Sequence, residues 1–334
     1  MKYPSNLSLL VLLSLTVSGV ASAAFDQYTI IDLGSLDPGG VNDYSYAFDI
    51  NDRGDIVGFS KGADGLDHAF ARMRGQTLSD LGQGRATSIN NRRQLVGRGA
   101  GPNYLLWKQD AAGNWEALDL NIPVIPAPFL GQTIKINDRG NIAGAGEIGI
   151  FYWSNGQIEY IATNAGCFPL TVVGLNNRDE VLYGDSMSMY LVTNTGESVL
   201  GDGRFAELTA MNDEGEAVGL SAFASASSYF STETGFTNPQ TNQSFKDINN
   251  AGIAVGGGNY GSYVASFALA STFRAVIYSK AENSVVYLDT LIPNNPGWSL
   301  RIANGISDAG QIVGVGINPA GKTHAFLLTP VSPP

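Results

Sequence analysis

The sequence predicts an all-β chain, a seven-bladed β-propeller of four-stranded blades, and three observations carry that prediction. First, a hairpin of the form apolar–Asn–Asp/Asn–x–Gly–x–apolar–apolar–Gly occurs seven times with some drift, centred on Asn51, Asn90, Asn137, Asn176, Asn212, Asn249 and Ser307. Subtraction gives intervals of 39, 47, 39, 36, 37 and 58 residues, and a period near ~40 accommodates four short strands per unit. Second, 41 glycines and 15% charged residues fit a turn-rich β-protein. Third, the ends are reciprocally incomplete. The last unit stops after its third strand, and an orphan fourth strand begins the globular part, so together they complete the last blade and close the ring. Closure removes sheet edges that would otherwise recruit other chains.

In chain order, residues 1–23 read as a signal peptide. Lys2 gives a positive start, Leu7 to Val20 an apolar stretch, and Ala21-Ser22-Ala23 the small-x-small cleavage pattern. The apolar stretch is short for a membrane span, and no later segment reaches the ~20 residues one requires. Residues 24–334 then form one domain, expected to be monomeric and secreted, either extracellular or periplasmic. Its first element is the orphan strand Tyr28 to Gly34.

Unit 1 sets the pattern. Tyr46-Ala47-Phe48-Asp49-Ile50 is a strand, Asn51-Asp52-Arg53-Gly54 a turn and Ile56-Val57-Gly58 the antiparallel return. Asn and Asp accept local backbone hydrogen bonds, and glycine takes the positive φ that closes the turn. Gly140, Gly215, Gly252 and Gly310 repeat that solution. Arg93 and Asp179 replace it in units 2 and 4, where the turn must differ or carry strain. Third strands are aromatic: His68-Ala69-Phe70, Tyr104 to Trp107, Ile150 to Trp153, Arg274 to Tyr278 and His324 to Leu327. Fourth strands often carry an Asp and Leu pair, as at Asp80-Leu81, Asp119-Leu120 and Leu288-Asp289; Phe236 to Pro239 makes a poor one in unit 5.

The combination in residues 47–82, Ile-Asn-Asp-x-Gly-x-Ile-Val-Gly, then His68-Ala69-Phe70, then Asp80-Leu81-Gly82, resembles the HAF-repeat family of extracellular bacterial proteins. Ala303 to Leu328 matches nearly as well, with His324-Ala325-Phe326; the middle units keep the hairpin and lose the tripeptide. The resemblance implies an exported repeat protein and brings no catalytic residue with it. Proteins resembling this family often end in a Pro-Glu-Pro sorting signal followed by a hydrophobic helix and a basic tail. This chain's ending, Thr329 to Pro334, has none of these, so free secretion is expected.

Nineteen basic against thirty acidic residues, net −11, disfavour nucleic acid and anionic membranes, which require clustered Lys and Arg. The single Cys167 excludes an internal disulfide and reads as a buried thiol. His68 and His324 occupy equivalent positions, so one packing or hydrogen-bonding role in each unit is expected rather than a metal site. Gly58-Phe59-Ser60-Lys61-Gly62 matches a nucleophile elbow in letters only, because it follows a hairpin and not a strand entering a helix. Asp49 to Gly54 fails as a calcium loop, with Arg53 at the fifth place and Ser60 at the twelfth; Asp64 to Asp67 is a weaker calcium candidate. No cofactor or metal is expected.

The short Asn-Asp-x-Gly turns should crowd one face. The variable connections 35–46, 59–67, 121–132, 257–273 and 290–301 should share the other, where rigid scaffolds tend to bind. Tyr44, Phe59, Phe129, Tyr260, Tyr263 and Trp298 lie in them and are the candidate ligand-binding residues, suited to stacking on sugar rings or anchoring a protein. The functional expectation is therefore a binding or interaction module for an extracellular glycan or protein. The alternative is a polysaccharide lyase or hydrolase with Asp43, Tyr44, Lys135 and Arg301 converging in the central funnel.

Overall fold

A computed structural model describes residues 25–124, 134–163, 170–184, 188–202, 207–221, 226–231, 235–237, 243–257 and 273–331. The signal segment, Cys167, Phe129, Tyr260 and Tyr263 lie outside the described residues. Among the described residues the structure is all-β apart from one 3-10 turn, Leu288–Leu291. Its strands form antiparallel sheets, five of four strands and one of seven. The seven-stranded sheet holds units 1 and 2, because Ser79–Ile89 runs unbroken from the outer edge of one to the inner edge of the next. Its first half pairs with Asp67–Arg72 and its second half with Leu95–Gly99. In the last unit Ser299–Ile306, Ile312–Ile317 and Thr323–Pro330 are joined by the N-terminal strand Tyr28–Asp32, as the sequence predicts. Unit 5 does have a fourth strand, the three residues Gly235–Thr237.

Apolar side chains fill the space between successive units. Met73, Leu95 and Trp107 join units 1 and 2; Leu106, Ile134 and Phe151 join 2 and 3; Phe245, Val276 and Tyr229 join 5 and 6. Units 7 and 1 share two such clusters, one built on Tyr46, Phe59, Ile302 and Val315, the other on Phe70, Val313 and Leu327. At ~25 cal/mol per Å² of apolar surface removed from water, these interfaces carry the stability that a disulfide would otherwise supply.

Two backbone details shape the face that carries the turns. The innermost strand of most units has a bulge just ahead of its last two residues, at Phe48, Thr87, Val173, Thr209, Lys246 and Asn304. A bulge re-aims the residue that follows it: Asp49, Ser88, Ala210 and Asp247 carry a side chain there, and Gly174 and Gly305 none. The glycine ending each hairpin motif has a related cause. At Gly58, Gly97, Gly256 and Gly314 an added Cβ would lie far inside contact distance of a first-strand carbonyl oxygen.

Candidate functional site

The seven turns assemble a polar crown from two concentric hydrogen-bond relays. In the inner relay each Asn closes its own turn and then reaches the next. Asn51 Oδ1 accepts the amides of Arg53 (3.1 Å) and Asp55 (2.9 Å), while its Nδ2 donates to the carbonyl of Asn90 (2.9 Å). Asn90 donates likewise to Asn137, Asn137 to Asn176, Asn176 to Asn212, Asn212 to Asn249, and Asn249 to Ser307. These asparagines are buried, so every donor and acceptor must be satisfied internally. Arg93 and Asp179 adopt the same turn as the glycines, at φ 60° and 65°. The left-handed backbone of Arg93 is offset by its bond to Asp55 (2.9 Å), and that of Asp179 by bonds from Asn137 (2.7 Å) and Asn141 (2.8 Å).

The outer relay uses the following residue, and around the seven turns it alternates: Asp52, Asn91, Asp138, Asn177, Asp213, Asn250, Asp308. Each backbone N–H donates to the side-chain oxygen of the next, from Asp52 to Asn91 (2.9 Å) through to Asn250 to Asp308 (2.8 Å), and Asp308 donates to Asp52 (2.8 Å). Each carboxamide NH2 also bridges its two flanking carboxylates; Asn91 Nδ2 is 2.8 Å from both Asp52 and Asp138. Alternation lets acceptor-only carboxylates face donors. At Asp308 and Asp52 two carboxylates are neighbours without a side-chain carboxamide to bridge them.

Inside this crown lies a cavity of about 170 Å³, lined by the turn residues together with Asp49 and Asp247. Asp49 accepts the amide of Ile89 (2.9 Å) and Asp247 that of Ile306 (2.8 Å), so each carboxylate ties its unit to the following one. Both keep some accessible surface towards the cavity and are enclosed by protein elsewhere. Enclosure raises the Asp49 pKa against the lowering effect of Lys135. Enclosure and the Asp49 charge together push Asp247 up to about 7. Lys135 occupies the equivalent position in unit 3.

Both histidines are clamped between carboxylates. His68 Nδ1 meets Asp80 (3.0 Å) and Nε2 meets Asp64 (3.2 Å); His324 Nδ1 meets Asp32 and Nε2 meets Asp43, each at 2.8 Å. Asp80 and Asp32 are the acids of the two Asp-Leu-Gly motifs, and each also accepts the amide of its glycine at 2.8 Å. The equivalent positions therefore do the same hydrogen-bonding job, and neither ring nitrogen is open to act as a base.

Of the six aromatic candidates, the structure brings together Tyr44 and Phe59, whose rings lie 5.8 Å apart. Phe59 is 1% exposed and packs with Tyr46 and Phe48 beneath the Arg85 guanidinium. Trp298 is buried edge-on against Phe326. These two rings are packing groups in this arrangement. The funnel set does not converge: Asp43 is taken by His324, and Arg301 donates to the carbonyl of Phe273 (3.1 Å). Ser60 accepts from Leu36 and donates to Tyr44. Asp64 is held by His68, and Asp67 by Lys61 and Arg85. Sequence reasoning missed the crown and the axial acids. The Asp/Asn alternation was readable by aligning the seven turns and reading down one column.

No protein-family model and no curated relative matches the chain. Its fold is similar to that of virginiamycin B lyase from Staphylococcus aureus, in a catalytically inactive form with quinupristin (10% identity, 91% of this chain and 100% of that one, TM-score 0.55). It is also similar to YCF48 bound to D1 peptide (13%, 93% and 97%, TM-score 0.53). A puromycin hydrolase matches too (12%, TM-score 0.53), with 87% of this chain covering 51% of that one. The fold is thus that of the β-propeller proteins. No helix among the described residues is long and apolar enough to cross a membrane.

Proposed function

We propose that the protein is an exported binding module, a closed seven-bladed propeller whose axial cavity on the turn face takes a cationic group, the amine or guanidinium of a basic peptide. Seven blades are supported by the seven linked turns and by the apolar clusters shared between units 7 and 1. Export rests on the sequence of residues 1–23 and on the resemblance to the HAF-repeat family. The observation that carries the ligand class is the cavity itself: four rim carboxylates and two axial ones surround it. A cleft lined by one sign of charge within low-dielectric walls focuses its field and draws counter-ions. Its volume, about 170 Å³, lies below the ~300 Å³ at which pockets begin to hold drug-sized ligands or sugars. One side chain or a small amine fits that scale. A protein of similar fold, YCF48, is bound to a peptide, which supports a peptide as the source of that group.

The test is calorimetric titration of the mature chain with an arginine-rich peptide, with an acidic peptide of equal length as control. The expected result is salt-sensitive binding of the basic peptide, weakened about tenfold or more in the Asp52→Asn/Asp308→Asn variant. Equal binding of both peptides, or no effect of the double substitution, overturns the assignment.

A further inference from the structure

His324 sits where the two ends of the chain meet. Its strand, Thr323–Pro330, pairs with the N-terminal strand Tyr28–Asp32, and its ring joins three segments at once. Nδ1 bonds Asp32, 292 residues away, at the end of that N-terminal strand. Nε2 bonds Asp43, 281 residues away, in the connection leading to unit 1. The His324 side chain is 8% exposed and that of Asp43 9%. His68 makes the same clamp with residues 4 and 12 positions away, and its carboxylates stand open to solvent.

We infer that His324 is a protonation-dependent latch, whose imidazolium holds the N-terminal strand on the last sheet and whose neutral form lets that strand go. An imidazolium has two N–H donors and bonds both carboxylates; a neutral ring has one, so one carboxylate then faces a bare nitrogen lone pair. The other groups facing the site only partly replace the lost donor. Asn318 Nδ2 and the Gly34 amide donate to Asp32 (2.8 Å each), Asn318 Nδ2 also lies 3.2 Å from His324 Nδ1, and Ser35 and the Gly39 amide donate to Asp43 (2.6 and 3.2 Å). Lys322 stands 4.0 Å from Asp43. At Asp32, 36% exposed, the loss is that of the charge-assisted bond itself; at Asp43, 9% exposed, desolvation adds to it.

Burial lowers the imidazole pKa, but the bonds to Asp32 and Asp43 and their charges outweigh it, so the net shift is upward. Burial raises both carboxyls, and the bonds from His324 and its neighbours outweigh that, so both end lowered. The latch is therefore fully present below the ordinary imidazole pKa and is lost as pH rises through the raised one. On the acid side it holds until the lowered carboxyls protonate.

Amide hydrogen exchange tests the inference, read as the protection of Tyr28–Asp32 relative to Ile312–Ile317 in the same sheet, a ratio that cancels the intrinsic pH dependence of exchange. In the unaltered protein the ratio should hold on the acid side of about pH 6.5 and fall about tenfold at alkaline pH, the effect of losing one charge-assisted hydrogen bond. In His324→Gln it should already be low at about pH 6 and show no step; His68→Gln should behave as the unaltered protein. A ratio flat to alkaline pH in the unaltered protein overturns the inference whether or not the variant folds. So does a step that survives in His324→Gln.

Discussion

Replacing Asn90 isolates the contribution of one link in the inner relay. Its Oδ1 accepts the amides of Arg92 (3.0 Å) and Gln94 (2.9 Å), and its Nδ2 donates to the Asn137 carbonyl (2.8 Å) and to Gln94 Oε1 (2.8 Å). Asn90→Ala removes all four bonds and strands two amides. The Asn137 carbonyl still accepts the Gly140 amide (2.9 Å), so it is not left bare. At roughly 1 kcal/mol net per bond, with a premium for unsatisfied buried groups, the loss should be about 2–4 kcal/mol. Asn90→Ser is the informative partner. In unit 7 a serine at this place still accepts the amide of Gln311 (3.1 Å), so serine should restore part of the turn but none of the link to the next unit, costing about 1–2 kcal/mol. Equilibrium urea unfolding followed by tryptophan fluorescence measures both, with an unchanged denaturant slope as the condition for comparison. An alanine variant within about 0.5 kcal/mol of the parent refutes the claim that these side chains join the units. Equal losses for serine and alanine refute the division into turn and link.

The same logic run forwards predicts that Ser307→Asn stabilises the protein. The Asn51 carbonyl accepts the Gly54 amide (3.0 Å) and, unlike its six counterparts, takes no side-chain donor from the preceding turn among the described bonds. One new link there is worth about 0.5–1.5 kcal/mol, read as a higher urea midpoint. In the opposite direction, Gly97→Ala should destabilise by about 3 kcal/mol or more, because its Cβ would collide with the Arg85 carbonyl on the paired strand. An alanine tolerated there would mean that the first strand gives way, and circular dichroism melting would register no shift.

The units and turns were legible because local chemistry determines them: Asn and Gly specify a turn whatever surrounds it, and alternation specifies a strand. Arg93 and Asp179 were legible only as anomalies, since their partners, Asp55 accepting from Arg93 and Asn137 and Asn141 donating to Asp179, lie in other units. The bulges left no mark in the sequence. A strand such as Tyr46-Ala47-Phe48-Asp49-Ile50 reads equally well with or without an extra residue, yet the bulge decides that Asp49 points to the axis. The aromatic candidates show the converse. Phe59 and Trp298 lie in segments read as variable loops, but Phe59 falls inside the strand Ile56–Lys61 and Trp298 just ahead of Ser299–Ile306, and a ring so placed is stabilised by burial before it is offered to a ligand. The Asp/Asn alternation was present in the letters, though it acquires meaning only when the turns touch.

The two ends of the chain meet in a seam without a covalent link inside the last sheet, where Tyr28–Asp32 pairs with Thr323–Pro330. That seam has little apolar support: Tyr28 is buried and Ile30 half-buried, whereas Thr29, Ile31 and Asp32 face solvent. Its ladder of paired residues is extended by the Leu33 amide on Ala325 (3.0 Å) and the Val331 amide on Gln27 (2.7 Å). Hydrogen bonds open to water contribute modestly, so a short outer strand held by them alone would fray. The polar groups at the Asp32 end answer that weakness. Ser45 accepts the Ala325 amide (2.9 Å) and donates to the Gly34 carbonyl (2.5 Å), and His324 grips Asp32 and Asp43 beside it. Charge-assisted bonds stand where burial is scarce. This is why the histidine clamp at this position, whose carboxylates lie 292 and 281 residues away where those of His68 lie 12 and 4, bears on whether the chain ends stay joined.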